Sequence, residues 1–301
     1  MADTAQAVPA GRKSLTATTT SWRFGPLQGP IELVGCAELM APLTQCLQGW
    51  PVTPWPIGIA TSPVITVTLR GTEYVLTSRF IVGEEVYADS PSIICAFMAE
   101  LIMAYGTARP EALFLHAGGA VVEDKMIIFP ARGKTGKSTL IAQLAHRGAR
   151  IFSDDVVPLD TRTLHACALG IEPRVRLPLP VSLPNAMHNW VARHRHLFNS
   201  KMTYIGLPGQ GPGALAPLDE ERPVDAIVLL TRETGARPEL APCPRAEVLK
   251  LLVQQHFGGP TTAVTLVARL KALTDGAPCY RLTYGGGDEA PDLLHRMARE
   301  K

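Results

Sequence analysis

PARGKTGKST, residues 130–139, stands between the apolar run MIIF and a helix-periodic run, LIAQLAHRG. It departs by one residue from the phosphate-loop pattern G-x-x-x-x-G-K-[ST], because the first glycine is Ala131. A phosphate cradle needs backbone N–H groups converging on an anion at a helix N-terminus, where the helix dipole also favours negative charge. Gly133 and Gly136 are expected to supply the backbone freedom for close approach, and Ala131 is acceptable if its φ is negative. Lys137 is placed to reach the outer phosphates and the Ser138 hydroxyl to ligate Mg²⁺. The nucleotide-binding set is therefore Ala131, Arg132, Gly133, Lys134, Thr135, Gly136, Lys137, Ser138 and Thr139.

Outward from the loop, the order strand, loop, helix, strand is the one a phosphate loop requires. ALFLHAGGAVVEDKMIIF predicts two strands joined at Glu123-Asp124, and the helix from Lys137 is expected to end at Gly148. ARIFSDDVVPLD resumes as a strand, with Asp154 and Asp155 at its end. Carboxylates at the C-terminal end of a parallel strand face the ligand crevice of an open α/β sheet. There, one would hold Mg²⁺ and the other accept a proton from an incoming hydroxyl. Further on, 171–184 is too proline-rich for a helix, AIVLLT and YRLTY read as strands, and an amphipathic helix is predicted near 245–256. GGGDE (285–289) reads as a turn into the last helix, and MHNWVARHRHLFNSK (187–201) as a basic surface helix or an acceptor-docking segment.

Upstream, residues 1–20 read as a flexible leader and 21–110 as a small α+β region. VITVTLRGTEYVLTSRF carries a hairpin signature at Arg70-Gly71-Thr72, and Asp89-Ser90-Pro91 starts a buried helix reaching about Tyr105. The longest apolar run, SIICAFMAELIMAYG, is interrupted by Glu100 and short for a bilayer span. No secretory core is apparent near the N-terminus, so a soluble cytoplasmic protein is expected, with no membrane partner. A net charge of +2 without a basic run leans against nucleic acid. Six cysteines, none in a C-x-x-C pair, read as reduced thiols rather than a disulfide or zinc framework.

LHAGGAVVEDKMIIFPARGKTGKSTLIAQLAHRGARIFSDDVVPLD resembles the catalytic core of the HPr kinase/phosphorylase family and its kinase relatives. The family's histidine, phosphate loop, H-R-G turn and acidic pair correspond to His116, 131–138, His146-Arg147-Gly148 and Asp154-Asp155. Lys137 stands 21 residues after His116, and Asp154 follows Lys137 by 17. The resemblance implies an α/β fold, a P-loop kinase core of the HPr kinase/phosphoenolpyruvate carboxykinase type spanning 111–301. It implies ATP and Mg²⁺ as cofactors and a peptide, protein or small-molecule acceptor bearing a hydroxyl. By the same resemblance Asp154 is the preferred general base, with His116 beside it; Lys137 stabilises transferring charge, and Ser138 with Asp155 organises Mg²⁺. A homo-oligomer is compatible with the sequence.

Departures limit the likeness. The family's E-I-R-G-L-G type segment is absent, and LGIEPRVRLPLP stands in its approximate place. Glu172 is the candidate substitute metal ligand, Arg174 and Arg176 are candidate phosphate or substrate contacts, and Lys201 is a candidate for reaching the nucleotide. The match is closer to kinase relatives found beside peptide-modification genes than to enzymes acting on HPr. The expected activity is phosphoryl transfer to serine in a peptide or protein. A small-molecule serine kinase and a nucleotide-binding regulatory module are the alternatives.

Overall fold

The computed structural model describes residues 17–59, 61–133, 135–258 and 261–300 of the chain. Most of the expected leader (1–16) and Lys134 of the loop lie outside the described residues. The fold is mixed α/β, with four sheets among the described residues.

One six-stranded sheet is built from 19–87, and the hairpin at Gly71 joins Ile65–Arg70 to Glu73–Ser78. Helix Ser90–Ala108 covers this sheet, and its start follows from chemistry at the cap. Asp89 accepts the Ser92 amide at 2.8 Å, and Pro91 sits in the first turn, where its missing N–H costs nothing. At 19 residues the helix is longer than expected, and by length and composition it could cross a membrane. Here Ile93, Phe97 and Leu101 pack into a core shared with Phe24, Leu33, Phe114 and Tyr204. Its one acid, Glu100, accepts a hydrogen bond from the Ser78 hydroxyl.

The sheet that carries the loop has the order 150–153, 117–122, 125–130, 226–232, 279–284, 239–242. Lys125–Pro130 pairs in parallel with Ala226–Arg232, which pairs in parallel with Cys279–Tyr284. ALFLHAGGAVVEDKMIIF forms three strands rather than two, because the chain breaks at His116 and Ala112–Leu115 joins a different sheet. Glu123 and Asp124 both take positive φ, 49° and 64°, as a two-residue hairpin loop requires.

The strand before the acidic pair, Arg150–Ser153, is also not as expected. It is an edge strand hydrogen-bonded antiparallel to Ala117–Val122. Two antiparallel steps restore direction, so its C-terminal end still emerges on the edge where Pro130, Arg232 and Tyr284 end. Ligands bind at that edge in open α/β sheets.

Helix Lys137–His146 lies on this sheet through Leu140, Ile141 and Leu144. Gly118 permits the approach: a Cβ there would stand 3.1 Å from Ile141 and 3.3 Å from Lys137 Cγ. The helix ends as expected at Gly148, with φ of 90°. Helix Asn185–His194 is less superficial than predicted: Met187, Trp190 and Val191 are buried in the same core, and Trp190 stacks on His194 at 4.6 Å. The helix at 245–256 forms as Arg245–Gln255, and GGGDE leads into Ala290–Arg299. Strand Glu239–Pro242 and helix Ala263–Gly276 are further elements that the sequence reading did not assign. All six cysteines are free, and five are buried.

Candidate active site

Gly136 is the turning point of the loop. It takes φ 92° and caps the helix, and a Cβ on it would meet the Tyr284 hydroxyl at 3.0 Å. That hydroxyl donates to the Thr135 carbonyl at 2.9 Å, fixing the loop to the end of Cys279–Tyr284. Gly133 is different: its φ is not in the left-handed region, and nothing lies within 4 Å of a Cβ placed there. The expected freedom therefore resides in Gly136 alone. Ala131 avoids positive φ and is 1% exposed, its methyl buried in the core, so alanine is at home in the first position.

The first helical hydrogen bond is from the Leu140 amide to the Gly136 carbonyl. The amides of Lys137, Ser138 and Thr139 have no backbone acceptor among the described residues, as at a helix N-terminus, and these residues line a cleft of about 470 Å³. A left-handed glycine whose Cβ position is filled by Tyr284, beside free helical amides, fits a phosphate group.

Ser153 divides the acidic pair. Its hydroxyl accepts the amides of Asp155 (3.1 Å) and Val156 (3.0 Å), turning the chain as the strand ends. Asp154 points inward, 8% exposed, and accepts the Arg174 amide at 3.1 Å. Asp155 points into the cleft, where Oδ1 meets His116 Nε2 at 2.8 Å and Lys137 Nζ at 3.3 Å. His116 therefore sits beside Asp155, not beside Asp154 as expected.

Their protonation diverges accordingly. Burial, reinforced by the charge of Asp155, raises the Asp154 carboxyl to about 6. Burial also works to raise Asp155, but the hydrogen bond from His116 and the charge of Lys137 outweigh it and hold Asp155 well below the usual range. Desolvation lowers Lys137, opposed by both aspartates.

Arg132, Arg174, Arg176 and Arg232 complete the cleft wall. Arg174 and Arg176 come from the extended segment singled out in the sequence. Arg232 had no sequence signal, since it is simply the last residue of a strand. With Lys137 these make, among the described residues, five cationic side chains lining the cleft with one carboxylate, Asp155. Two other candidates are not brought to the site. Glu172 is buried behind the wall, hydrogen-bonded to His196. Lys201 is exposed, and the Gly-Pro-rich loop near it lines a separate depression beside Trp190.

The Ser138 hydroxyl and the Asp155 carboxylate are hard oxygen donors sharing the cleft, which suits Mg²⁺. Asp155 Oδ1 is engaged by His116 and Lys137, and Oδ2 has no hydrogen-bond partner among the described residues.

No protein-family model matches the chain, and no curated protein matches it. Among solved structures, that of the Hpr(Ser) kinase/phosphatase from Coxiella burnetii is similar at 14% identity, with a TM-score of 0.31. The alignment covers 62% of this chain and 93% of that one, a distant structural relationship.

Proposed function

We propose that this chain is an ATP- and Mg²⁺-dependent kinase that transfers the terminal phosphoryl group to a hydroxyl, first of all serine in a peptide or protein. The observation that carries this reading is the meeting of Lys137 and His116 on one oxygen of Asp155, inside the cleft that receives the free amides of the helix. A module that only bound nucleotide would need no proton-handling pair beside its phosphate loop.

The amides of 137–139 and the Lys137 ammonium would receive the phosphates, and Ser138 Oγ with Asp155 Oδ2 would hold the Mg²⁺. When bound, the cation supplies neutralisation of charge on the phosphate oxygens. The proton leaving the acceptor hydroxyl is taken up by the His116–Asp155 pair, the carboxylate stabilising the imidazolium as it forms. The raised proton affinity of Asp154 would suit a base. Its carboxylate is nevertheless buried and turned onto the Arg174 amide, away from an incoming hydroxyl. We therefore assign it to positioning the strand Arg174–Arg176. Nucleic acid and membrane have no part in this reading.

The test is transfer of label from γ-labelled ATP, with Mg²⁺, to serine-bearing peptides, serine-bearing proteins and free serine. Label on a serine hydroxyl, lost in Lys137→Met, supports the kinase. Tight Mg²⁺–ATP binding with no transfer to any of them would favour the regulatory module instead.

A further inference from the structure

Cys46, Glu172 and His196 lie behind the cleft wall, outside the site described above. One ligand atom from each falls within 4.8 Å of those of the other two. The three come from distant stretches of chain. Cys46 ends the helix Met40–Gln45, Glu172 precedes the strand Arg174–Arg176, and His196 lies in the strand Arg195–Phe198.

The backbone holds them together. Leu47 and Ile171 form an antiparallel bridge, the Glu172 amide donates to the Cys46 carbonyl at 2.9 Å, and the Gln48 amide to the Gly170 carbonyl at 2.6 Å. Approach is close enough that a Cβ on Gly170 would strike the Gln48 carbonyl at 2.1 Å. Gly206 packs closely on the far side: a Cβ there would stand 3.3 Å from the His194 carbonyl, 3.5 Å from the His196 ring and 3.6 Å from Glu172 Oε1.

A hydrogen bond between His196 and Glu172 accounts for two of the three groups. It does not account for Cys46. The other cysteines each have a hydrogen-bond partner: Cys36 the Val67 carbonyl, Cys95 the Arg174 guanidinium, Cys167 the His165 carbonyl, Cys243 the Arg281 guanidinium and Cys279 the Ala277 carbonyl. Cys46 Sγ, fully buried, has none among the described residues, yet it faces an imidazole and a carboxylate.

We propose that Cys46, Glu172 and His196 form a binding site for a zinc-class transition metal. Thiolate, imidazole and carboxylate are a zinc donor set. Donor atoms around tetrahedral zinc stand roughly 3.5 Å apart, so the hydrogen-bonded His196–Glu172 pair must part to admit the ion while Cys46 moves in by at most about an ångström. The cation replaces the thiol proton, which is released to solvent, while His196 binds as the neutral imidazole through Nε2 with its proton on Nδ1. A water molecule completes the four-coordinate shell. Such a site ties the helix Met40–Gln45 to the strand bearing Arg174 and Arg176, and so braces the cleft wall. It does not depend on the kinase reading.

Titration of the chelator-treated full chain with Co²⁺, then displacement by Zn²⁺, tests the site. One equivalent of tetrahedral Co²⁺ with a thiolate-to-metal charge-transfer band is expected, and Zn²⁺ should raise the melting temperature. Cys46→Ser should abolish the band. His196→Gln, which keeps the thiol, should weaken binding by more than the ~10–100-fold that loss of a ligand's hydrogen-bond partner costs. Asp155→Asn should leave the band intact. Binding without a thiolate band, no stoichiometric binding, or a band that Asp155→Asn removes would each overturn the proposal.

Discussion

His116 Nε2 and Asp155 Oδ1 stand 2.8 Å apart on the wall of the cleft, while the neighbouring carboxylate, Asp154, faces the interior. In the function proposed above, the base role that the resemblance gave Asp154 passes to Asp155 with His116, and this makes the two aspartates separable. At saturating Mg²⁺–ATP, Asp155→Asn and His116→Gln should each lower transfer by the ~10²–10⁴ typical of lost acid–base catalysis. Asp154→Asn, whose amide oxygen can still accept from Arg174, should stay within about tenfold on the same scale. A larger loss in Asp154→Asn than in Asp155→Asn would make the buried carboxylate the base.

Asp154 also predicts a dependence of stability on pH. Its folded value, about 6, lies above the ordinary value of 3.8, so the native state binds more protons between them. Stability contributed by this group therefore falls as pH rises through that window, and the penalty is complete above it. Urea titrations should find Asp154→Asn more stable than wild type at pH 8, by on the order of 2 kcal/mol. The gain should disappear as pH is lowered from about 6 towards 4. A destabilised variant at pH 8 would mean that attraction to Arg174 and Lys137 outweighs burial.

The loop residues should separate just as clearly. Gly136→Ala must place a side chain at φ 92°, at a cost of roughly 1–2 kcal/mol, and must push against the Tyr284 hydroxyl that bonds the Thr135 carbonyl. Mg²⁺–ATP affinity should fall strongly. Gly133→Ala should be tolerated, since its Cβ would meet nothing. Ala131→Gly should cost about 1–2 kcal/mol of stability, from a lost buried methyl and added unfolded-state freedom. It should change nucleotide affinity by less than about 1 kcal/mol. Calorimetric titration with thermal melting decides all three, and equal binding by Gly133→Ala and Gly136→Ala would refute the assignment.

Arg232 and Arg176 face the same cleft from different strands. Each charge-assisted contact to a phosphate is worth about 1.5–3 kcal/mol, so Arg232→Gln should weaken Mg²⁺–ATP by roughly tenfold or more if it meets the donor. If Arg176 meets the acceptor instead, Arg176→Gln should raise the acceptor KM and leave nucleotide affinity unchanged. Nucleotide affinity that neither substitution alters would remove both arginines from the donor side.

Much of the cleft was legible in one stretch of chain. Loop, helix, H-R-G turn and acidic pair are local features, set by glycine's access to positive φ and by the apolar period of the helix. The cap at Asp89 and the turn at Glu123-Asp124 were legible for the same reason: a side chain acts there on its own or adjacent backbone. What sequence could not contain is which way neighbouring carboxylates point. That is decided by the Ser153 hydroxyl gathering two amides and by the Arg174 amide arriving from twenty residues away. The same limit hid Arg232, which joins the cleft only through parallel strand pairing. It hid the partner of Gly136 as well, since Tyr284 reaches the loop across 149 residues of chain. Contacts of that kind depend on register between strands and on packing across the sheet. Local chemistry marked the loop as a candidate phosphate cradle; long-range pairing determined which groups face it.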